Sequence, residues 1–422
     1  MPDTPRYDVP RLRSWLLAAA LLWMAIGNGF LLWESRLPMA QGYGDFANFY
    51  TAGALVQRGE SAELYSPAAQ WKVQQEFASE VKMRRSPMRY MRPPFEALLF
   101  AVFAAWPYAT ALLLWTGFKL ALLAAIPFVV VRGKFWKERF PLWTTAILVL
   151  GTFPAFMDLL MGQDAFLLAF LFAICFWQLE TGRDVGAGVT LGLALVKFQL
   201  AIPFFLVLWI SGRKRVLPGF VTSASVVLAI SAALVGWRAL LKYPGYLLTL
   251  NRTTGVGIVP ENHMTLRGLL TVFAGRLPYP GPIAWALATL AAAAIVYTGL
   301  LWRKAGRRFL AEGFGLAAIV AIVTSYYASD YDLLLLIVPL LAMRARPDGA
   351  PKADKVTRYL EVTALPLLLL TPVYWFTRVQ LHAECLMTLP LLALSVALAR
   401  RLSHAGAGVG APLPDTIEVR QR

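Results

Sequence analysis

Residues 16–33 read LLAAALLWMAIGNGFLLW and carry no charge. At a rise of about 1.5 Å per residue, a helix of that length covers most of a hydrocarbon core about 30 Å thick. Residues 217–236 and 283–302 are equally apolar blocks, again without a charged residue. The chain of 422 residues is 58% hydrophobic and 15% charged, and its apolar residues fall in such blocks instead of being dispersed as in a soluble core. The expectation is an all-α polytopic membrane protein.

The first block follows Arg11 and Arg13. Its apolar run exceeds the roughly 7 to 15 residues of a secretory signal, so it reads as a retained first helix. The formal charge of +16 could suggest nucleic acid, but the basic residues stand in short runs between apolar blocks. Membrane topology accounts for that pattern, and no nucleic-acid partner is expected. Cys175 and Cys385 lie inside apolar segments, where a thiol is a small hydrophobe, so neither a disulfide nor a metal site is expected.

Candidate spans cover 14–33, 109–131, 142–160, 164–180, 217–236, 283–302, 312–326, 331–343, 360–377 and 384–400. Two regions resist this reading. Residues 95–106 are too few to cross untilted, and 186–211 carries Lys197, Gln199 and Pro203 near its middle. Both read as broken or half-depth helices lining a cavity, since irregular backbone in a bilayer must be satisfied by protein or water. With them the bundle has about 11 to 13 transmembrane helices. Residues 1–402 form one membrane domain with a long first outward loop at 34–93, and 403–422 read as a disordered cytoplasmic tail.

Orientation follows from the basic runs: Arg132 to Arg139, Arg213 to Arg215, Arg303 to Arg308, Arg344 with Arg346, and Arg400 with Arg401. Placing them on the cytoplasmic side of a bacterial inner membrane puts the amino terminus inside. The loop 34–93, Gly162-Gln163-Asp164, residues 237–282 and Ser325 to Asp332 then share the outer face. The first loop is itself basic, with Arg84, Arg85, Arg89 and Arg92, and these cations suit anionic headgroups or phosphates.

Asp45 stands in Tyr43-Gly-Asp-Phe-Ala-Asn-Phe-Tyr50, directly beyond the first span. Burial against Phe46, Phe49 and Tyr50 would raise its carboxyl above the usual value of about 3.9, and nearby arginines would oppose that. It is a candidate general base, with a helix cap or a loop salt bridge as the plainer reading. Lys197 ends the glycine-rich stretch 188–197 and needs a partner or an anionic ligand unless it snorkels. Arg92, before Pro93-Pro94, could face a phosphate or a headgroup. His263 and Arg267 are four apart and would share a helix face, able to bind an anionic leaving group. Gln163, Asn48, Tyr50, Tyr327 and Asp330 could hold sugar or acceptor hydroxyls, although Asp330 and Asp332 also suit helix caps.

The ordered set of Asp45-Phe46 with Tyr50, Ala52 and Gly53, then Pro93-Pro94, Gly162-Gln163 and the glycine-rich stretch ending at Lys197 resembles glycosyltransferase family 87. That resemblance implies a GT-C-type fold, a polyprenyl-phosphate sugar donor, mannose above all, and inverting transfer without a metal or other cofactor. It places the active site on the outward face, with Asp45 as catalytic base, and implies a lipid or glycan acceptor among the membrane lipids. A transporter or flippase of lipid-linked saccharides, or a non-catalytic envelope-assembly protein, are the competing classes.

Overall fold

The computed structural model describes residues 9–79, 86–131, 148–252, 259–274, 281–344 and 353–407. Arg84, Arg85, the run Arg132 to Arg139, the start of the 142–160 candidate, Arg346 and residues 408–422 lie outside the described residues. Among the described residues the fold is all-α, with no strand. Five helical stretches are long and apolar enough to cross a membrane, Tyr108–Val131, Asp184–Ile210, Val216–Val235, Pro282–Ala305 and Glu384–His404. A sixth joins Lys355–Leu369 to Thr371–Gln380 through a 68° bend. Ala18–Glu34 and Ala165–Glu180 are shorter apolar helices. The chain is thus a multi-pass membrane protein.

Length and apolarity would let 184–210 cross as one helix of about 40 Å. The geometry says otherwise. Arg213, just past its end, pairs with Asp184 at its start at 2.9 Å, and also donates to the Leu179 carbonyl. The segment therefore doubles back, and the turn is at Lys197, whose φ of −118° and ψ of 66° leave the helical region. The first arm, Asp184–Leu193, and the second, Phe198–Ile210, each reach about half-way across at 1.5 Å per residue, as expected for half-depth helices. Glycines let the first arm lie against Val216–Val235: a Cβ at Gly188 would stand 2.0 Å from the Val216 carbonyl oxygen, and one at Gly219 1.9 Å from that of Val185. The shorter interrupted region forms the helix Glu96–Phe103, packed on Phe46–Gln57.

Leu310–Thr324 is buried along nearly its whole length and forms the centre, wrapped by Phe198–Ile210, Pro282–Ala305, Ile337–Arg344 and Thr388–Ala407. The tail reading needs correction, because Ser403 to Ala407 continue the last helix. Leu402 is fully buried against the core, and Ser403 donates to the Ala399 carbonyl at 2.9 Å, so the apolar face carries the helix another turn.

Among the described residues, the basic runs at 213–215, 303–308 and 400–401 gather at one end. Arg303 lies beside Gly212, Trp302 packs on Gly313, and Leu398 reaches Gly315, which brings the 213, 303 and 400 regions to one level. The last helix starts near the Thr265 carbonyl, to which Thr388 donates, and runs down to Arg400 and Arg401. Polar loops at 41–45, 90–95, 162–164, 259–265, 325–332 and 380–384 thus sit at the opposite end.

Candidate functional site

These loops enclose a cavity of about 360 Å³. The first helix ends at Glu34, and a turn then places Asp45 at the amino-terminal end of Phe46–Gln57. Asp45 holds the cap position without making the side-chain cap bond. Its Oδ2 instead accepts from Gln163 Nε2 at 2.6 Å, so the cap expectation fails on geometry. Gln163 is presented by a helix end: Gly162, in the left-handed region at φ 68°, closes Phe153–Met161, and its carbonyl accepts from Trp115 Nε1 at 3.0 Å. The buried Lys119–Asp158 pair underlies this turn, with Asp158 Oδ1 accepting from the Ala165 amide.

Arg92 Nη2 donates to Gln163 Oε1 at 3.2 Å and to Asp164 Oδ1 at 3.1 Å. Its segment, residues 90–93, is irregular, and Pro93 has no backbone N–H to donate. Tyrosine hydroxyls satisfy its four carbonyls: Tyr246 donates to Tyr90, Tyr243 to Met91, Tyr65 to Arg92 and Tyr90 to Pro93. Arg92 is 6% exposed and lines the cavity, and its Nη1 has no hydrogen-bond partner among the described residues. A buried guanidinium nitrogen left so is costly unless something else meets it.

Lys197 is not a snorkelling residue. It is 1% exposed at the tip of the hairpin, 3.0 Å from Asp164 Oδ1 and 2.6 Å from Asp332 Oδ1. Asp332 Oδ2 also caps, accepting from the Ser329 amide at 3.0 Å. One polar chain therefore runs Asp45, Gln163, Arg92, Asp164, Lys197, Asp332.

Of the residues singled out in the sequence, Asp45, Asn48, Arg92, Gln163, His263, Tyr327 and Asp330 line the cavity. Lys197, Arg267 and Tyr50 do not. Arg267 stacks its guanidinium 4.1 Å from the Tyr326 ring centroid, and Tyr50 donates to the Trp106 carbonyl within an aromatic cluster. His263 has Ser329 Oγ at 3.5 Å from Nδ1, and burial pushes its imidazolium down to about 4, so it is neutral at ordinary pH. Asp330 Oδ1 accepts from the Tyr331 amide at 2.7 Å.

Arg378 and Glu384 line the cavity without having been anticipated. The available signal was a short polar gap, Arg378 to Glu384, between two apolar blocks. Among the described residues no group of three or more His, Cys, Asp or Glu side chains is placed to hold a metal ion.

Comparison with known proteins finds the family model for glycosyltransferase family 87 over residues 90–339. No curated protein and no solved structure matches the chain.

Proposed function

The chain belongs to glycosyltransferase family 87, a family of membrane glycosyltransferases, and from that premise we propose that it moves a hexose, mannose first among candidates, from a polyprenyl-phosphate donor to a hydroxyl of a lipid or glycan acceptor. The transfer inverts the anomeric centre and takes place on the outer face of the bacterial inner membrane. The observation that carries this reading is the cavity itself, where one amide, Gln163, joins the Asp45 carboxylate to a buried Arg92 guanidinium with an unfilled donor.

In the reaction the acceptor oxygen attacks the anomeric carbon while Asp45 takes its proton. The bond from that carbon to the phosphate oxygen breaks, and its electron pair leaves on the polyprenyl phosphate. The phosphate gains charge as the bond breaks, so cations fixed beside it stabilise the transition state more than the bound donor. Arg92, whose Nη1 has no partner among the described residues, takes this part in the reading, and Arg89 lines the same cavity. Gln163 Nε2 holds one carboxylate oxygen, orienting the base. Arg92 and Gln163 share a hydrogen bond, which couples the base to the phosphate side.

The test is incubation of purified protein with labelled polyprenyl-phosphate mannose and extracted membrane lipids. Wild type yields labelled lipid, and Asp45→Asn loses at least about 100-fold in rate while keeping its thermal midpoint, the scale expected for removal of a general base. Full transfer by Asp45→Asn overturns the mechanism. Donor translocation without transfer turns the reading towards a flippase.

A further inference from the structure

The cavity has a second wall that the transfer mechanism leaves unused, and two of its residues, Arg378 and Glu384, lie beyond the stretch 90–339 matched by the family model. The backbone goes out of its way to deliver them. Lys355–Leu369 bends by 68° into Thr371–Gln380, whose last five residues are a π-helical turn carrying Arg378. His382 then adopts φ 49°, a left-handed conformation uncommon for a residue other than glycine, and Glu384 follows at the start of the final helix.

Arg378 Nη1 lies 2.9 Å from Asp330 Oδ2 and 3.6 Å from Glu384 Oε2, and the Arg378 side chain remains 43% exposed towards the cavity. Glu384 is 2% exposed, and its Oε1 meets no N–H or hydroxyl among the described residues. Its carboxyl group instead approaches that of Asp330. Of the four carboxyl oxygens, Asp330 Oδ1 has an amide and Asp330 Oδ2 a guanidinium; the Glu384 carboxyl meets the Asp330 backbone amide and the Asp330 carboxyl, and its Oε1 has no partner among the described residues. One acceptor of the cluster, Glu384 Oε1, is thus left without a donor. Buried acceptors left unmatched cost free energy, and a ligand that brings donors recovers it.

Charge decides the kind of donor-bearing ligand. The Asp330 and Glu384 carboxyl groups share a hydrogen bond, which takes a proton, so with Arg378 and the uncharged His263 this part of the cavity has no excess of positive charge to hold a phosphate. Arg89 and Arg92 line the same cavity and attract one. Asp45 lines it as well.

We propose that Asp330, Arg378 and Glu384 form the acceptor subsite, recognising adjacent hydroxyls of a neutral sugar or polyol head group, with Arg378 donating to one oxygen and Glu384 Oε1 accepting from its neighbour. This rests on the glycosyl-transfer reading, and it adds to it that the acceptor presents an uncharged, hydroxyl-rich face rather than a phosphate or an amine.

Binding is measured without donor, so that it does not depend on catalysis. The full chain is placed in phosphatidylcholine nanodiscs and titrated with methyl α-mannopyranoside, methyl α-glucopyranoside and myo-inositol, using saturation-transfer NMR. O-phosphorylethanolamine serves as the charged comparator. Wild type binds at least one neutral polyol, and both Glu384→Ala and the near-isosteric Glu384→Gln weaken that binding about tenfold or more, the scale of one hydrogen bond to a charged group. Arg378→Lys, which keeps the charge but loses the planar fork, weakens it as well. Thermal midpoints within a few degrees of wild type show the variants folded. Absence of polyol binding by wild type, unchanged binding in folded Glu384 variants, or stronger binding of O-phosphorylethanolamine each overturns the proposal. Polyol binding by a preparation that transfers no sugar from polyprenyl-phosphate mannose supports the subsite and overturns the transfer reading instead.

Discussion

Lys197 shows how far a single charged residue can be read before its partners are known. In the sequence it is a cation among apolar neighbours, equally suited to snorkelling, to a phosphate or to an ion pair; in the fold it meets Asp164 and Asp332 at 3.0 and 2.6 Å and does not line the cavity. Removing one member of a buried ionic cluster strands the others, so Lys197→Met is expected to cost about 3 to 5 kcal/mol, with Lys197→Met/Asp332→Asn recovering part of it. Chemical denaturation in detergent measures this. A raised KM for donor with unchanged stability would return Lys197 to the phosphate. His263 gives a pH signature. In the unfolded chain its imidazole titrates near 6.5, and in the fold burial, with Arg267 and Arg378 nearby, brings it to about 4 against the favourable pull of the Ala328 carbonyl. Between those values the unfolded state holds the extra proton, so stability is full above 6.5 and declines as pH falls towards 4. The thermal midpoint of His263→Gln should lack that part of the decline; a slope identical to wild type would show that His263 does not cause it. The place of Asp45, Arg92, Gln163 and His263 on the cavity lining was legible because each is a polar residue near apolar blocks. Tyr50 and Arg267 were misplaced because the Trp106 carbonyl and Tyr326 ring that occupy them come from distant segments. Arg378 was passed over as the residue just after the 360–377 candidate, and Glu384 as the first of the 384–400 candidate.

At the level of elements, apolar length located the helices but could not tell a crossing from a hairpin. Residues 184–210 satisfy the length and apolarity of a single span, and the contacts of Arg213 with Asp184 and the Leu179 carbonyl show that the two ends meet. Lys197, Gln199 and Pro203 did mark the interruption, since polar groups and a missing amide are tolerated at depth only where something satisfies them. The hairpin depends on close backbone approach at Gly188 and Gly219. A methyl at Gly188 would sit 2.0 Å from the Val216 carbonyl oxygen, too near for any rotamer change to relieve, because the obstacle is backbone. Gly188→Ala must therefore push the first arm away from Val216–Val235 and move the tip that pairs with Asp164. The expected result is a loss of about 1 to 3 kcal/mol, the usual cost of overpacking, together with reduced transfer. Wild-type stability and activity in this variant would mean that the two helices do not pack as closely as described.

For the whole molecule, the distribution of charge is the strongest constraint on function. The final helix begins beside the cavity at Glu384 and ends past Arg400 and Arg401, so cavity and basic end are separated by a full membrane span. From the preference of positive residues for the cytoplasm, a cavity opposite to them is expected to open outward. A cavity facing outward can reach a donor only if the sugar is carried there on a lipid, which links membrane topology to the polyprenyl-phosphate reading. The arrangement can be tested because both native cysteines, Cys175 and Cys385, are buried. Asn262 is exposed at the cavity mouth, and the His404 side chain is 66% exposed at the far end. In intact spheroplasts a membrane-impermeant maleimide should label Asn262→Cys, whereas His404→Cys should react only after the membrane is opened. The reverse pattern would turn the cavity to the cytoplasm, where sugar nucleotides are available, and would remove the topological reason for a lipid-linked donor while leaving the geometry around Asp45 unchanged.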